Sequence, residues 1–278
     1  TTAAALGIAL SATAGTPTGG YPFPANPGKV CTVDRFKQDK TTDTVVKKVD
    51  ILFVMDFSAS MADDWERVAQ NVQNLVKELP KDLDVRYSVL LASAGAWRGE
   101  LFTSPGGKTV LDSKKLSVKQ IQSALQKTFA YGMRIKDTKG NGEAPFTSLQ
   151  AAVTTYGAAN QKLGFFRPDA ALSILFMSDE QELGALFPAK LPNGLYPRCD
   201  GSSEDHMRQL EYVAKGISTD TSFNAVKKFK GDMPVMTHAF INATKADVPK
   251  PAKGKTCTVE SLGYGYFEMV AKTNGVLF

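Results

Sequence analysis

Ile51-Leu52-Phe53-Val54-Met55-Asp56-Phe57-Ser58-Ala59-Ser60 is the stretch whose reading decides the fold. Five consecutive apolar residues leave no polar face for water. They therefore fit a strand buried on both sides, as in a parallel sheet covered by helices. A helix is predicted next. Trp65, Val68, Ala69, Val72, Leu75, Val76 and Leu79 fall on one helical stripe, and Pro80 closes it.

The same alternation repeats downstream. Val85–Leu91 reads as a strand; Val118, Ile121, Leu125 and Phe129 mark one helix face, and Leu149, Ala152, Val153 and Tyr156 another. Leu172–Met177 is a second strongly apolar strand. Helical stretches follow around Met207, Leu210 and Ala214, and around Phe223, Val226 and Phe229. Val235–Ile241 reads as a strand, Tyr266–Ala271 as a helix, and Val276–Phe278 as a final short strand, which would suit a fragment of something longer. Strands alternating with helices predict an α/β domain over residues 45–278, with a doubly wound, mainly parallel sheet flanked by helices on both faces. Residues 1–44 read as an Ala/Thr/Pro/Gly-rich arm, in which Tyr21-Pro22-Phe23-Pro24 and Asn26-Pro27-Gly28 favour extended and turn conformations.

Composition narrows the function classes. The chain has 278 residues, 43% of them hydrophobic, which is ample for a full core. No apolar run is long enough to span a bilayer. The net charge of +5 comes from scattered lysines, with no basic stretch interleaved with aromatics, so nucleic acid is not an expected partner. Three cysteines without CxxC spacing and only two histidines argue against structural zinc. The apolar Ala3–Leu10 and the small-x-small Ala12-Thr13-Ala14 hint at export, although the charged segment of a signal peptide is missing; an Ala/Thr-rich tail is the alternative. Neither histidine neighbours a candidate serine nucleophile, and neither a GxSxG elbow nor a GxxxxGK[ST] loop occurs, so no enzyme activity is expected.

The chemistry concentrates where the two most apolar strands stop. One runs into Asp56-x-Ser58-x-Ser60 and the other into Ser178-Asp179-Glu180. Ligands of a doubly wound sheet sit beyond the carboxyl ends of its strands. Carboxylates mixed with hydroxyls there make an oxygen-only donor set suited to a hard, hydrated cation such as Mg²⁺. Each residue taken singly also has a plain use as a helix cap.

Asp56-x-Ser58-x-Ser60 after a buried strand resembles the first motif of the metal-ion-dependent adhesion site of von Willebrand factor A and integrin I domains. Thr147-Ser148-Leu149-Gln150-Ala151-Ala152-Val153 is similar to the second motif, and Asp179 to the third, in the same order. The resemblance spans roughly 45–278. It implies one Mg²⁺ or Mn²⁺ held through the hydroxyls of Ser58, Ser60 and Thr147, with Asp56 and Asp179 acting largely through water. One position would stay open for an Asp or Glu carboxylate on a protein partner. It also implies that the last helix, Tyr266–Ala271, slides on ligand binding. Ser60-Met61-Ala62-Asp63-Asp64 resembles the integrin β segment that holds an adjacent cation, which would be Ca²⁺ on Asp63 and Asp64; acidic residues opening a helix are the alternative. Glu180 stands where the family has glycine.

Long loops share that face, and Trp97, Glu180, Phe187 and Tyr196 are candidate partner contacts. Cys199 and Cys257 fall there by strand order and would form a bridge, with Cys31–Cys257 as the competing pair. The expected function is a divalent-cation-dependent protein-binding or adhesion module, exported or at the cell surface. The alternatives are a cytoplasmic assembly subunit partnering an ATPase and a metal-dependent hydrolase.

Overall fold

The structure is a computed structural model that describes residues 47–58, 60–61, 64–135, 144–180, 182, 217–242, 263 and 265–278. All of them lie in one compact unit, Val46–Phe278. In chain order the elements are β1 (Lys48–Met55), α1 (Trp65–Glu78), β2 (Asp84–Leu91), β3 (Leu101–Phe102), β4 (Leu111–Asp112), α2 (Val118–Gly132), α3 (Pro145–Thr154), α4 (Gly157–Lys162), β5 (Ala171–Met177), α5 (Thr219–Lys230), β6 (Val235–Phe240) and α6 (Tyr266–Ala271). The helix expected around Met207 lies outside the described residues.

β1 is central. It pairs in parallel with β2 on one side and β5 on the other, and β6 continues in parallel beyond β5. β3 and β4 both run antiparallel along the outer edge of β2, giving a sheet order of β3-β2-β1-β5-β6 with β4 also on β2. The sheet is therefore mixed, with mostly parallel strands. The sequence reading missed β3 and β4 because two residues carry no periodicity.

Side chains alternate along β1 even though its sequence does not. Val49, Ile51, Phe53 and Met55 pack with Val68, Val72 and Val76 of α1 and with Ile121, Leu125 and Phe129 of α2. Leu52 and Val54 face the other way, onto Phe146 and Leu149 of α3, Val226 of α5, and Met269 and Val270 of α6. Each face is thus covered by helices, which is why neither could be polar. Ser117 and Gln120 form a capping box that starts α2.

Val276–Phe278 does not form the expected strand. Leu277 makes a single parallel bridge to Ala239. The chain leaves α6 through Asn274, at φ 51°, and through Gly275, where a Cβ would lie 1.7 Å from the Thr237 carbonyl oxygen. That close approach needs glycine, and beyond it Ala239 N donates to the Val276 carbonyl at 3.1 Å and Phe278 N to the Ala239 carbonyl at 2.9 Å. No helix among the described residues is long and apolar enough to cross a membrane.

The amino ends of the strands are tied by a buried ionic network. Asp50, fully buried, accepts hydrogen bonds from the backbone N–H and Nε of Arg167, at 2.6 and 2.8 Å. The same guanidinium reaches Asp84 Oδ1 at 2.7 Å and the carbonyls of Val49 and Asp84. Lys230 Nζ donates to the Arg167 carbonyl at 2.5 Å. Burial pushes the Asp50 carboxyl above its ordinary range, with the Arg167 charge pulling it back, and burial pushes the Lys230 ammonium down.

Arg167→Met would leave Asp50 buried without its cation. It should lower the unfolding free energy by about 3–5 kcal/mol in urea titrations. His238 gives a second expectation. Its Nδ1 accepts the Val276 N–H at 3.1 Å, and burial depresses its pKa below 6.5. A folded pKa below the unfolded one stabilises above about pH 6.5, and that stability is lost as pH falls through the folded value. The urea midpoint should therefore drop on acidification, and His238→Gln should remove that part of the pH dependence.

Candidate metal centre

The four parallel strands end level. Asp56 N donates to Met177 O at 3.0 Å, Ala92 N to Met55 O at 2.7 Å, and Ser178 N to Phe240 O at 3.1 Å. The residues that follow therefore emerge side by side on one edge of the sheet. Asp56, 1% exposed, uses both carboxylate oxygens locally. Oδ1 accepts the Ser58 N–H at 2.8 Å, which turns the loop back on itself, and Oδ2 accepts the Ser178 hydroxyl at 2.6 Å.

That turn brings the two DxSxS serines together. Their Oγ atoms are 2.9 Å apart, and Ser60 Oγ donates to Asp179 Oδ1 at 3.3 Å. The Asp179 loop is held from two sides. Asn242 Nδ2 donates to the Asp179 carbonyl at 2.9 Å, and the Glu180 N–H donates to Ser178 Oγ at 3.2 Å. Ser58, Ser60 and Asp179 are thus linked oxygen to oxygen, and Asp56 joins them through the Ser58 amide.

Thr147 reaches the same end of the sheet on α3. Ala144 N donates to Ala92 O, just past β2, at 3.0 Å, and Phe146 N donates to Glu182 Oε1, just past β5, at 3.2 Å. The loop after β2 clamps the helix: Gly99 N donates to Ser148 Oγ at 3.1 Å, and Asn160 Nδ2 donates to the Gly99 carbonyl at 3.0 Å. Gly99 has φ +81°, and a Cβ there would lie 2.8 Å from Ala151, so both its conformation and its packing require glycine. Thr147 is 6% exposed, and its Oγ1 is buried with no hydrogen-bond partner among the described residues. An unsatisfied buried hydroxyl costs about 1–3 kcal/mol and invites a ligand that would complete it.

The donor set fits a hard cation. It comprises the hydroxyls of Ser58, Ser60 and Thr147 and the carboxylates of Asp56 and Asp179, all of them oxygen. Among the described residues no cluster of three or more His, Cys, Asp or Glu could hold a metal. An ion here would depend on hydroxyls as much as on carboxylates.

The other sequence candidates are distributed differently. Asp64 precedes α1 and pairs with Arg67 one turn on, while Asp63 lies outside the described residues. Trp97 is 37% exposed, its ring edge-on to Phe102 with centroids 5.4 Å apart. Glu180 is 3% exposed, packed into the site loop rather than displayed on its rim. Phe187, Tyr196, Cys199, Cys257 and Cys31 lie outside the described residues. Sequence reasoning missed Gly99, Glu182 and Asn242, each of which acts across more than 35 residues of chain. An acid three residues beyond Asp179 was the one available hint.

The chain is thus an α/β protein whose mostly parallel sheet gathers carboxylates and hydroxyls at its carboxyl edge. The sequence matches no protein-family model and no curated protein. Solved structures that resemble it include proximal thread matrix protein 1 from the mussel byssus, at 14% identity and a TM-score of 0.33. That match covers 83% of this chain and 43% of the other, so the chain spans less than half the length of that structure. The likeness is too slight to carry an assignment.

Thr147→Val removes a hydroxyl that bonds to nothing. In EDTA it should leave the unfolding free energy unchanged or raise it by up to about 1 kcal/mol, whereas Ser178→Ala, which strips a donor from buried Asp56, should lower it by about 1–3 kcal/mol. Urea denaturation of both variants checks the contrast.

Proposed function

We propose that this domain is a doubly wound α/β module of the von Willebrand factor A type. It holds one Mg²⁺ or Mn²⁺ and uses it to grip an Asp or Glu carboxylate on a protein partner, outside the cell or at its surface. The observation that carries this reading is the Thr147 hydroxyl, buried and unpartnered at the edge where Asp56, Ser58, Ser60 and Asp179 gather.

In this reading Ser58, Ser60 and Thr147 hold the ion through neutral oxygens. Asp179 orients the Ser60 hydroxyl and Asp56 the Ser58 backbone through the hydrogen bonds they already accept, and both balance the charge largely through water. The bound ion supplies positive charge that few carboxylates have neutralised, and an incoming carboxylate completes it. Tyr266, at the start of α6, packs against Phe146 with ring centroids 5.9 Å apart, and Phe146 adjoins Thr147. That contact offers a path by which ligand binding would shift α6.

The test is thermal unfolding in EDTA and then with millimolar Mg²⁺ or Mn²⁺. A ligand of the folded state at one hundred times its Kd adds about 2.7 kcal/mol. Wild type should be stabilised, while Asp179→Ala and Thr147→Val should fold and fail to respond. An acidic peptide should then be retained with metal and released by EDTA. A wild type whose midpoint ignores both ions sinks the proposal.

A further inference from the structure

β3 and β4 are two ends of one edge strand. Leu101–Phe102 pair with Leu90–Val89, and Leu111–Asp112 with Tyr87–Arg86. Residues 103–110 interrupt it with a braced turn. Gly107 N donates to Ser104 O at 2.8 Å, Gly106 sits at φ +72° after Pro105, and Thr103 Oγ1 donates to Lys108 O at 3.2 Å. Between this turn and α2 lies a cavity of about 570 Å³. Lys108, Lys119 and Lys127 stand on its wall above an apolar floor of Leu111 and Leu116, and among the described residues no carboxylate lines it.

A second cavity, about 220 Å³, adjoins the first and shares Lys108 and Leu116 with it. It adds Arg86 and Lys115. Its single carboxylate, Asp112, is already engaged by Arg86 Nε at 3.7 Å and Lys115 Nζ at 3.6 Å. Lys108, Lys119 and Lys127 are exposed and make no ion pair among the described residues. Five cations therefore border one strip with one compensated acid. A cleft lined by one sign of charge concentrates counter-ions, and a chain of linked anions gains by displacing them.

We propose that this strip binds a sulfated polysaccharide. Sulfates sit on Lys108, Lys119 and Lys127, and the hydroxyls of Ser104, Ser117 and Ser123 in the same wall suit sugar hydroxyls. Among the described residues no aromatic lines either cavity, so the bases of single-stranded nucleic acid would find none of them to stack on. The strip includes none of the candidate metal donors, and its occupancy is independent of the cation.

The experiment measures binding of a heparin-derived octasaccharide to the full chain in EDTA at two salt concentrations. Affinity should fall steeply with salt. The Lys119→Glu/Lys127→Glu double variant should lose at least tenfold. Lys227→Glu/Lys228→Glu on α5, with the same change in net charge, should lose less than twofold. The desulfated octasaccharide should not bind, and single-stranded DNA of equal charge should bind at least tenfold more weakly. Absence of binding to the sulfated chain, or equal losses in both double variants, overturns the proposal. DNA bound as tightly and lost on the same lysines overturns the sugar assignment.

Discussion

Ile51, Phe53 and Met55 point to one face of β1 and Leu52 and Val54 to the other, so the strand can be dry only if helices cover both sides. Five apolar residues in a row make that requirement costly to evade, since each buried side chain is worth about 1.5–3 kcal/mol. A strand so enclosed is paired on both edges as well, by β2 and β5 in parallel register. Parallel neighbours that stop level send their next residues out at the same edge. The gathering of Asp56, Ser58, Ser60 and Asp179 is thus a geometric consequence of how β1 is buried.

At the amino end Asp50 and Asp84 share Arg167, and Lys230 adds a further cation, so the network is satisfied by side-chain charge. At the carboxyl end Asp56 accepts from an amide and a hydroxyl, and the Thr147 hydroxyl on α3 is buried with no hydrogen-bond partner among the described residues. The first arrangement is closed and stabilises the fold. The second holds the buried Thr147 hydroxyl from which the proposed metal site is argued.

The β2 edge shows how far a reading in chain order falls short. Arg86, Lys108, Lys115, Lys119 and Lys127 look like ordinary scattered cations along the sequence. The interrupted edge strand and the first turns of α2 draw them to two adjoining cavities with no aromatic lining. The turn that interrupts the strand also protects an exposed sheet edge from pairing with another chain.

Periodicity and apolar runs by themselves determined β1, β2, β5 and β6 and most of the helices covering them, because two-sided burial and a helical stripe are written in local order. The DxSxS spacing and the aspartate after β5 marked the candidate donors, because both follow directly on those strands. Short-range patterns could not register β3 and β4, which exist because β2 offers an unpaired edge, nor the bridge at Leu277, which depends on Gly275 lying against Thr237. Only the tertiary structure brought Glu182 to the start of α3, Gly99 to Ser148 and Arg167 to Asp50. Each of these contacts joins residues tens of positions apart, and its energy comes from a partner's charge or hydrogen bond that no neighbouring residue announces.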